Sequence, residues 1–199
     1  MNIKYLVLSL PSNPTGAILS KEEKEQLVEL IKENDILVIT DEIYESLCYD
    51  KYYSVAQCRD IKDKVIYVGG FSKMFSMTGL RIGYYVCSQA LMNEIIKIHQ
   101  YNVSCAPSIC QWAVYNGLKY GLKDVSHMKE VFNNRKELVV NKLKDMGLDV
   151  VIPKGAFLCI SINKKKFNIP SEEFALRLLY EEKVACVPGT ALVLVVKDI

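Results

Sequence analysis

Apolar residues in the first half of the chain fall into short unbroken runs that end abruptly at polar or turn residues. Four such runs predict strands, at residues 5–10, 36–39, 65–68 and 84–87. Between the first two runs, Ser20 and Glu23 form a Ser-x-x-Glu capping box ahead of apolar residues at helical spacing. Strands without polar alternation that are joined through a helix are expected to be parallel and covered on both faces. The pattern therefore predicts an α/β fold with a three-layer, mainly parallel sheet.

Helical spacing dominates from residue 88 onward. Three helices are predicted, one opened by Ser88, one beginning near Pro107, and a long one over residues 123–146 with Gly147 as its stop. The shorter elements that follow are strands at 148–152, 156–162 and 184–187, a solvated basic loop at 164–166 and a helix opened by Ser171. We place a domain boundary at the long helix, which divides the chain into residues 1–122 and a smaller α+β domain of residues 123–199.

Composition and charge exclude several classes of function. The 199 residues carry 25 basic and 23 acidic side chains, and a net charge of +2 argues against binding to nucleic acid or to a charged membrane surface. No apolar stretch approaches the roughly 20 residues that span a bilayer. The seven cysteines are scattered without a Cys-x-x-Cys pair, and there are two histidines, so neither a disulfide framework nor a metal site is expected. These features predict a protein of a reducing compartment, the cytoplasm.

Polar side chains follow three successive predicted strands where each strand ends. Asn13 follows the first, Asp41 and Tyr44 follow the second, and Ser72-Lys73 follows the third, with Arg81 eight residues after the lysine. Ligands of parallel sheets bind beyond the carboxyl ends of the strands, so these groups are expected to meet at one rim. An amide, a carboxylate, a phenol, an amine and a guanidinium together suit an anionic, aromatic, carbonyl-bearing ligand better than a metal.

Three segments carry a resemblance to a known family. Asn13-Pro14-Thr15-Gly16, Asp41-Glu42-Ile43-Tyr44 and residues 70–83 (GFSKMFSMTGLRIG) resemble the motifs of class I aminotransferases, which are fold-type-I enzymes that use pyridoxal 5′-phosphate (PLP). The last segment matches the lysine-attachment pattern of the family at every restricted position. Residues 153–157 (PKGAF) and 184–189 (VACVPG) extend the resemblance into the second half. It implies the later part of the large PLP-binding domain followed by a small domain.

The resemblance assigns the reacting and ring-binding groups. Lys73 is expected to form the Schiff base with the PLP aldehyde and later, as a free amine, to move a proton from the substrate Cα. Asp41 is expected to bind the pyridine nitrogen and keep it protonated. Ile43, two residues on in extended chain, is expected to pack against the ring. The alternatives are a solvated surface lysine, a helix-capping aspartate and ordinary core packing.

The resemblance also assigns groups to the oxygen atoms of PLP. Tyr44 and Asn13 are expected to donate hydrogen bonds to the phenolic oxygen, and Arg81 with Ser72 to bind the phosphate. The alternatives are a half-buried aromatic at Tyr44 and an Asx turn at Asn13. The chain departs from many relatives at Gly70, where they place a phosphate-binding serine, so one phosphate contact must come from elsewhere.

The resemblance further implies a fragment that lacks the N-terminal half and the extreme C-terminus of the family's chain. The missing parts carry a second phosphate loop, an aromatic on the ring and an arginine for the substrate carboxylate. We therefore expect the 199-residue chain to bind PLP weakly and to show little transamination. The intact enzyme is expected to transfer an amino group between an L-amino acid and a 2-oxo acid, as a homodimer without nucleic-acid or membrane partners.

Three other functions remain open from the sequence. A carbon–sulfur lyase or another fold-type-I PLP enzyme would use the same cofactor motifs. A non-catalytic aminotransferase-like module would sense PLP or an amino acid. A P-loop ATPase would use residues 36–42 as its magnesium-binding strand, although the chain has no Gly-Lys-Ser/Thr phosphate loop.

Overall fold

The computed structural model describes residues 3–162 and 164–192. Its main sheet has four strands in the order in which they occur along the chain, namely β1 (Tyr5–Ser9), β2 (Leu37–Asp41), β3 (Val65–Gly70) and β4 (Gly83–Val86). The first three are parallel and β4 runs antiparallel to β3. The sheet is therefore mostly parallel, which confirms the predicted fold class, and each predicted strand lies within two residues of its observed position.

Helix α1 (Lys21–Asn34) covers one face of this sheet, and its sequence explains why it begins where it does. The Ser20 hydroxyl accepts from the backbone N–H of Glu23 at 3.1 Å, while the Ser20 N–H donates to the Glu23 carboxylate at 2.8 Å. This is the predicted capping box, which satisfies two N–H groups at the start of the helix. Val28 and Ile31 of α1 are buried against Val38 of β2 in the main hydrophobic core.

The opposite face of the sheet is open at β1 in the described part of the chain. Tyr5 and Val7 are 67% and 68% exposed, whereas Leu6 and Leu8, which point the other way, pack against the core beneath α1. The expectation that the strands are covered on both faces is therefore wrong for β1. The apolar run is nevertheless continuous, as in strands that are buried on both sides.

The second half of the chain is mainly helical, as expected. Its elements are α2 (Phe71–Met74), which leads into β4, and then α3 (Gln89–Asn102), α4 (Ser108–Tyr120), α5 (Leu122–Asp145), β5 (Asp149–Val151), β6 (Ile160–Ile162), α6 (Lys164–Phe167) and α7 (Ser171–Glu182). Strands β5 and β6 form a separate antiparallel pair. The long helix α5 begins one residue before its predicted start, and Gly147 follows it with a positive φ of 73°. The division into residues 1–122 and 123–199 stays a prediction.

Two predictions for the second half are wrong. The basic segment expected to be a loop at 164–166 lies in the short helix α6. Residues 184–187, expected to be a strand, pair with no other strand of the described chain. A β-branched run forms a strand only where a neighbour supplies the hydrogen-bond ladder, and β5 and β6 pair only with each other.

Apolar side chains on α3 and α4 form a second open surface. Several large residues of these helices and their ends are exposed, namely Ile98, Tyr101, Ile109, Trp112, Tyr115 and Tyr120. Trp112 alone is 64% exposed, and its ring packs edge-on against Tyr115. We call this set the α3–α4 surface. Among the described helices, none is long and apolar enough to cross a membrane.

Candidate functional site

The register of the sheet brings three strand ends to one edge. Ser9 of β1 lies opposite Asp41 of β2, and Asp41 lies opposite Val68 of β3. The backbone N–H of Leu10 donates to the Asp41 carbonyl at 3.0 Å, which extends the pairing past the end of β1. Asn13 follows this point in the turn after β1, and α2 follows β3 directly and carries Lys73. Strand pairing thus brings the segments that carry Asn13, Asp41 and Lys73 to the carboxyl edge of the sheet.

The amine of Lys73 lies beside a pair of aromatic rings that are in contact with each other. Its Nζ is 5.5 Å from the ring centre of Tyr44 and 5.3 Å from that of Phe157, distances at which a cation is attracted by the ring faces. The two rings meet edge to face at 5.7 Å. Tyr44 is 5% exposed, and the Asn13 side-chain amide lies 3.5 Å from its hydroxyl oxygen. The structure therefore brings Asn13, Tyr44 and Lys73 together.

Asp41 and Ile43 are held by local contacts on the same strand end. One oxygen of the Asp41 carboxylate accepts from the Ile43 backbone N–H at 3.1 Å, which is a turn contact. It does not cap a helix, because the short helix Glu45–Leu47 begins after Tyr44 and has no side-chain cap. The other oxygen of Asp41 has no hydrogen-bond partner within the described ranges. The Ile43 side chain lies over Gly70, where an added Cβ would be 2.6 Å from its Cδ1 atom. A serine at position 70 would require Ile43 to move, which is a physical reason for the departure at Gly70.

Ser72 and Arg81 are connected to each other through Thr78. The Arg81 guanidinium donates to the Thr78 carbonyl at 3.1 Å, and the Thr78 hydroxyl donates to the Ser72 carbonyl at 3.2 Å. Across residues 3–162 and 164–192, no hydrogen bond or ion pair joins either side chain to Asn13 or Tyr44. Their assignment to a phosphate stays a prediction.

Phe157 is the site residue that sequence reasoning missed, although the Pro153–Phe157 segment had been singled out. The segment reaches the site because it docks on the turn after β1. The backbone N–H groups of Lys154 and Gly155 both donate to the Gly16 carbonyl, at 3.0 and 3.1 Å. Gly16 has a positive φ of 67°, and a Cβ there would lie 2.3 Å from the Cβ of Pro153. The close contact needs glycine at position 16.

A second contact, from Tyr49, holds the backbone next to Phe157. The Tyr49 hydroxyl donates to the Ala156 carbonyl, and burial raises the pKa of Tyr49 to about 12. The hydroxyl therefore keeps its proton near neutral pH. The Phe157 ring also stacks on Phe132 of α5 at 5.5 Å. We call the Tyr44 and Phe157 rings beside Lys73 the aromatic wall. Its Phe157 side is held by the Tyr49 contact and by α5.

Comparison with known proteins identifies the family. The model of the family "Aminotransferase class I and II" matches residues 1–197. The chain belongs to this family. Among curated relatives, it is 43% identical over 191 residues to a Bacillus subtilis (strain 168) protein named "Probable N-acetyl-LL-diaminopimelate aminotransferase". It is 38% identical over 192 residues to the aspartate aminotransferase of Pyrococcus abyssi.

Solved structures show the same relation. The aromatic aminotransferase of Pyrococcus horikoshii OT3 superposes with a TM-score of 0.89 at 36% identity, and covers 94% of this chain with 51% of its own length. The aspartate aminotransferase of Thermotoga maritima gives a TM-score of 0.86 at 38% identity and covers 94% of this chain with 48% of its own length. The two curated relatives are covered over 48% and 49% of their length. This chain therefore spans about half the length of the relatives it matches.

The residues at the strand edge fit the cofactor of the family, which is PLP. PLP offers an aldehyde, a phenolic oxygen and a ring nitrogen. The edge offers a primary amine beside two rings, a phenol with an amide next to it, and a carboxylate with one unbonded oxygen. Within the described ranges, no group of three His, Cys, Asp or Glu side chains is arranged to hold a metal ion.

Proposed function

We propose that this chain carries the lysine-bearing half of a PLP-dependent aminotransferase site, which transfers an amino group between an L-amino acid and a 2-oxo acid. The observation that carries the proposal is the position of the Lys73 amine beside the Tyr44 and Phe157 rings, with Asn13 next to the Tyr44 hydroxyl. Family membership supports it independently.

Each residue has one task in this proposal. PLP, when bound, supplies an electron-withdrawing ring that stabilises negative charge at the substrate Cα. Lys73 would provide the amine that holds the cofactor through its aldehyde, and its freed Nζ would carry the proton from the substrate Cα to the carbon that bore the aldehyde. The free oxygen of Asp41 holds the proton on the ring nitrogen, and Ile43 supports the ring. Tyr44 and Asn13 donate to the phenolic oxygen.

The phosphate end and the substrate need further groups. We assign Arg81 and Ser72 to the phosphate, since Ser72 lies in α2 next to Lys73, and the exposed Arg81 lies between α2 and β4 and is joined to Ser72 through Thr78. The relatives named above act, by their names, on N-acetyl-LL-diaminopimelate, aspartate or aromatic amino acids. We therefore propose L-amino acids and 2-oxo acids as a class of substrates, without preference among them.

We also propose a homodimer in the cytoplasm. The α3–α4 surface exposes a row of large aromatic and aliphatic side chains of the kind that is buried in permanent interfaces. All seven cysteines are free thiols, which suits a reducing compartment. Analytical ultracentrifugation should give twice the chain mass, and Trp112→Glu should give the single chain mass.

The enzymatic test uses the purified 199-residue chain with added PLP and a panel of L-amino acids. We expect slow formation of 2-oxo acid from at least one amino acid, and this activity should be lost in Lys73→Ala. It should be kept in Lys51→Ala, because Lys51 is a control lysine whose amine lies over the ring of Tyr53. Equal oxo-acid formation by the wild type and Lys73→Ala would overturn the proposal. Release of ammonia, with sulfide or a thiol, in step with the 2-oxo acid would indicate a lyase.

A further inference from the structure

Glu42 is an almost fully buried acid that no step above uses. It follows Asp41 at the end of β2, is 2% exposed, and donates its backbone N–H to the Val68 carbonyl at 2.9 Å. A buried carboxyl group destabilises the fold if it is ionised and too few hydrogen-bond donors surround it. Its hydrogen bonds therefore decide whether it is ionised or protonated.

One oxygen of the Glu42 carboxyl is fully used as an acceptor. Its Oε1 accepts from the Thr40 hydroxyl at 2.9 Å and from the Ser54 hydroxyl at 2.6 Å. The Ser54 oxygen also accepts from the backbone N–H of Ala56 at 3.0 Å, which leaves its hydroxyl proton for the Glu42 carboxyl. Two donated bonds fill the two lone pairs of a carbonyl oxygen.

The other oxygen has no donor. Glu42 Oε2 is buried and accepts from no group within residues 3–162 and 164–192. Tyr52 lies near the Glu42 carboxyl, but its hydroxyl donates to the Leu10 carbonyl at 2.8 Å and makes no hydrogen bond to Oε2. An ionised Glu42 would therefore leave a buried charged oxygen without a donor. Protonation of Oε2 removes this charge and supplies the proton that a bond to the Tyr52 oxygen needs.

We propose that Glu42 is a neutral carboxylic acid in the folded protein and that its proton completes a hydrogen-bond chain from Glu42 through Tyr52 to the Leu10 carbonyl. This chain ties the end of β1 to the end of β2, three residues before Asn13 and one residue after Asp41. Glu42 is thereby a positioning residue for these two side chains, and that second part rests on the proposed function.

The electrostatic surroundings agree with a neutral Glu42. Burial raises the pKa of Glu42 above its ordinary 4.5, against the donated bonds, and the nearby Glu45 carboxylate raises it further. Burial and the Glu42 carboxyl likewise raise the pKa of Tyr52. The titratable groups nearest this network are Glu45, Tyr52 and Tyr67, which donates to Glu45 at 2.7 Å. Lys62, Asp63 and Cys87 line the same cavity as Glu42, and within the described ranges Lys62 forms no ion pair with Glu42.

The first test reads the proton directly, on the chain without PLP. The infrared difference spectrum between the wild type and Glu42→Gln in D2O at neutral pH should contain the C=O stretch of one protonated carboxylic acid. The matched difference for Glu45→Gln, an exposed acid of the same region, should contain only carboxylate bands. A carboxylate-only difference at Glu42 would overturn the proposal, whatever PLP binding shows.

The second test uses the sign of the pH dependence. A raised folded-state pKa contributes stability below pH 4.5 that is lost as the pH rises toward the folded pKa, because the unfolded chain releases the proton. The unfolding equilibrium constant of the wild type relative to Glu42→Gln should therefore rise above pH 4.5, by at most about tenfold per pH unit for one proton. A ratio that stays constant or falls with pH would contradict a neutral Glu42.

The third test concerns positioning and uses rescue by the amide. Glutamine can accept from Thr40 and Ser54 and donate to Tyr52, so Glu42→Gln should bind PLP within about threefold of the wild type, whereas Glu42→Leu should bind about tenfold or more weakly. Glu42→Asp, which keeps the acid but shortens its reach, replaces the leucine variant if that protein does not fold. Equal affinity of all variants would refute the positioning role. Absence of PLP binding by the wild type would instead refute the proposed function, and leave the two tests of the proton standing.

Discussion

Replacing Gly16 by alanine tests how the second half of the chain is docked on the site. The substitution has two costs that can be separated. A φ of +67° costs an L-residue about 1 kcal/mol, and the new Cβ would lie 2.3 Å from the Cβ of Pro153 and 2.7 Å from the Gly155 carbonyl oxygen. Relief of such an overlap by backbone shifts costs about 1–3 kcal/mol. The unfolding free energy should therefore fall by about 2–4 kcal/mol.

Two other glycines of the chain provide matched controls. Gly147 has a φ of +73°, but an added Cβ would meet only the Lys166 amine at 3.8 Å, so Gly147→Ala should lose about 1 kcal/mol for conformation alone. Gly79 has neither cost, with nothing within 4 Å of an added Cβ, so Gly79→Ala should change stability by about 0.5 kcal/mol or less.

Urea titration followed by circular dichroism measures all three variants. With a slope of about 3 kcal/mol per molar urea, Gly16→Ala should lower the midpoint by roughly 0.7–1.3 M, and Gly147→Ala by about 0.3 M. If Gly16→Ala loses no more than Gly147→Ala, the close contact with Pro153 is not formed in solution. The account of how Phe157 reaches Lys73 would then be wrong.

Three further changes test single contacts. Ser20→Ala should lower the unfolding free energy, measured by thermal unfolding, by about 1 kcal/mol because α1 loses its capping box. The control is Lys21→Ala, which removes only an exposed ion pair, and an equal loss in that variant would contradict the role of the cap. Tyr49→Phe should lose about 1 kcal/mol at neutral pH, since the bond to Ala156 is removed. Because the pKa of Tyr49 rises from 10.0 to about 12 on folding, the advantage of the wild type should shrink between these pH values, and a growing advantage in urea titrations would refute the assignment. Phe157→Ala removes two ring contacts and should lose about 1–3 kcal/mol, and no loss of urea stability would show that the wall is not formed.

The sequence was most informative where one local rule decides the structure. Ser20 and Glu23 cap α1 as predicted, and the apolar runs at 36–39 and 65–68 form β2 and β3, because capping and β-branched composition act over a few residues. Residues 184–187 have the same kind of composition but form no strand, since pairing depends on a neighbour that local pattern does not reveal.

The site was predictable in part for the same reason. Asn13, Tyr44 and Lys73 meet as expected because parallel strands bring their carboxyl ends to one edge. Phe157 lies more than 80 positions after Lys73 along the chain, and its place depends on how Gly16 contacts Gly155. Spacing along the sequence carries no information on such a distant contact.

Covalent trapping of the cofactor tests whether Lys73 is the amine that binds PLP. The purified chain is incubated with PLP, reduced with borohydride, digested and mapped by mass spectrometry for a pyridoxyl group. The label should be on Lys73, Lys73→Arg should abolish it, and Tyr44→Phe should keep it on the same residue. A label that falls on other lysines in its place, or that is equally strong in Lys73→Arg, would refute the assignment of Lys73.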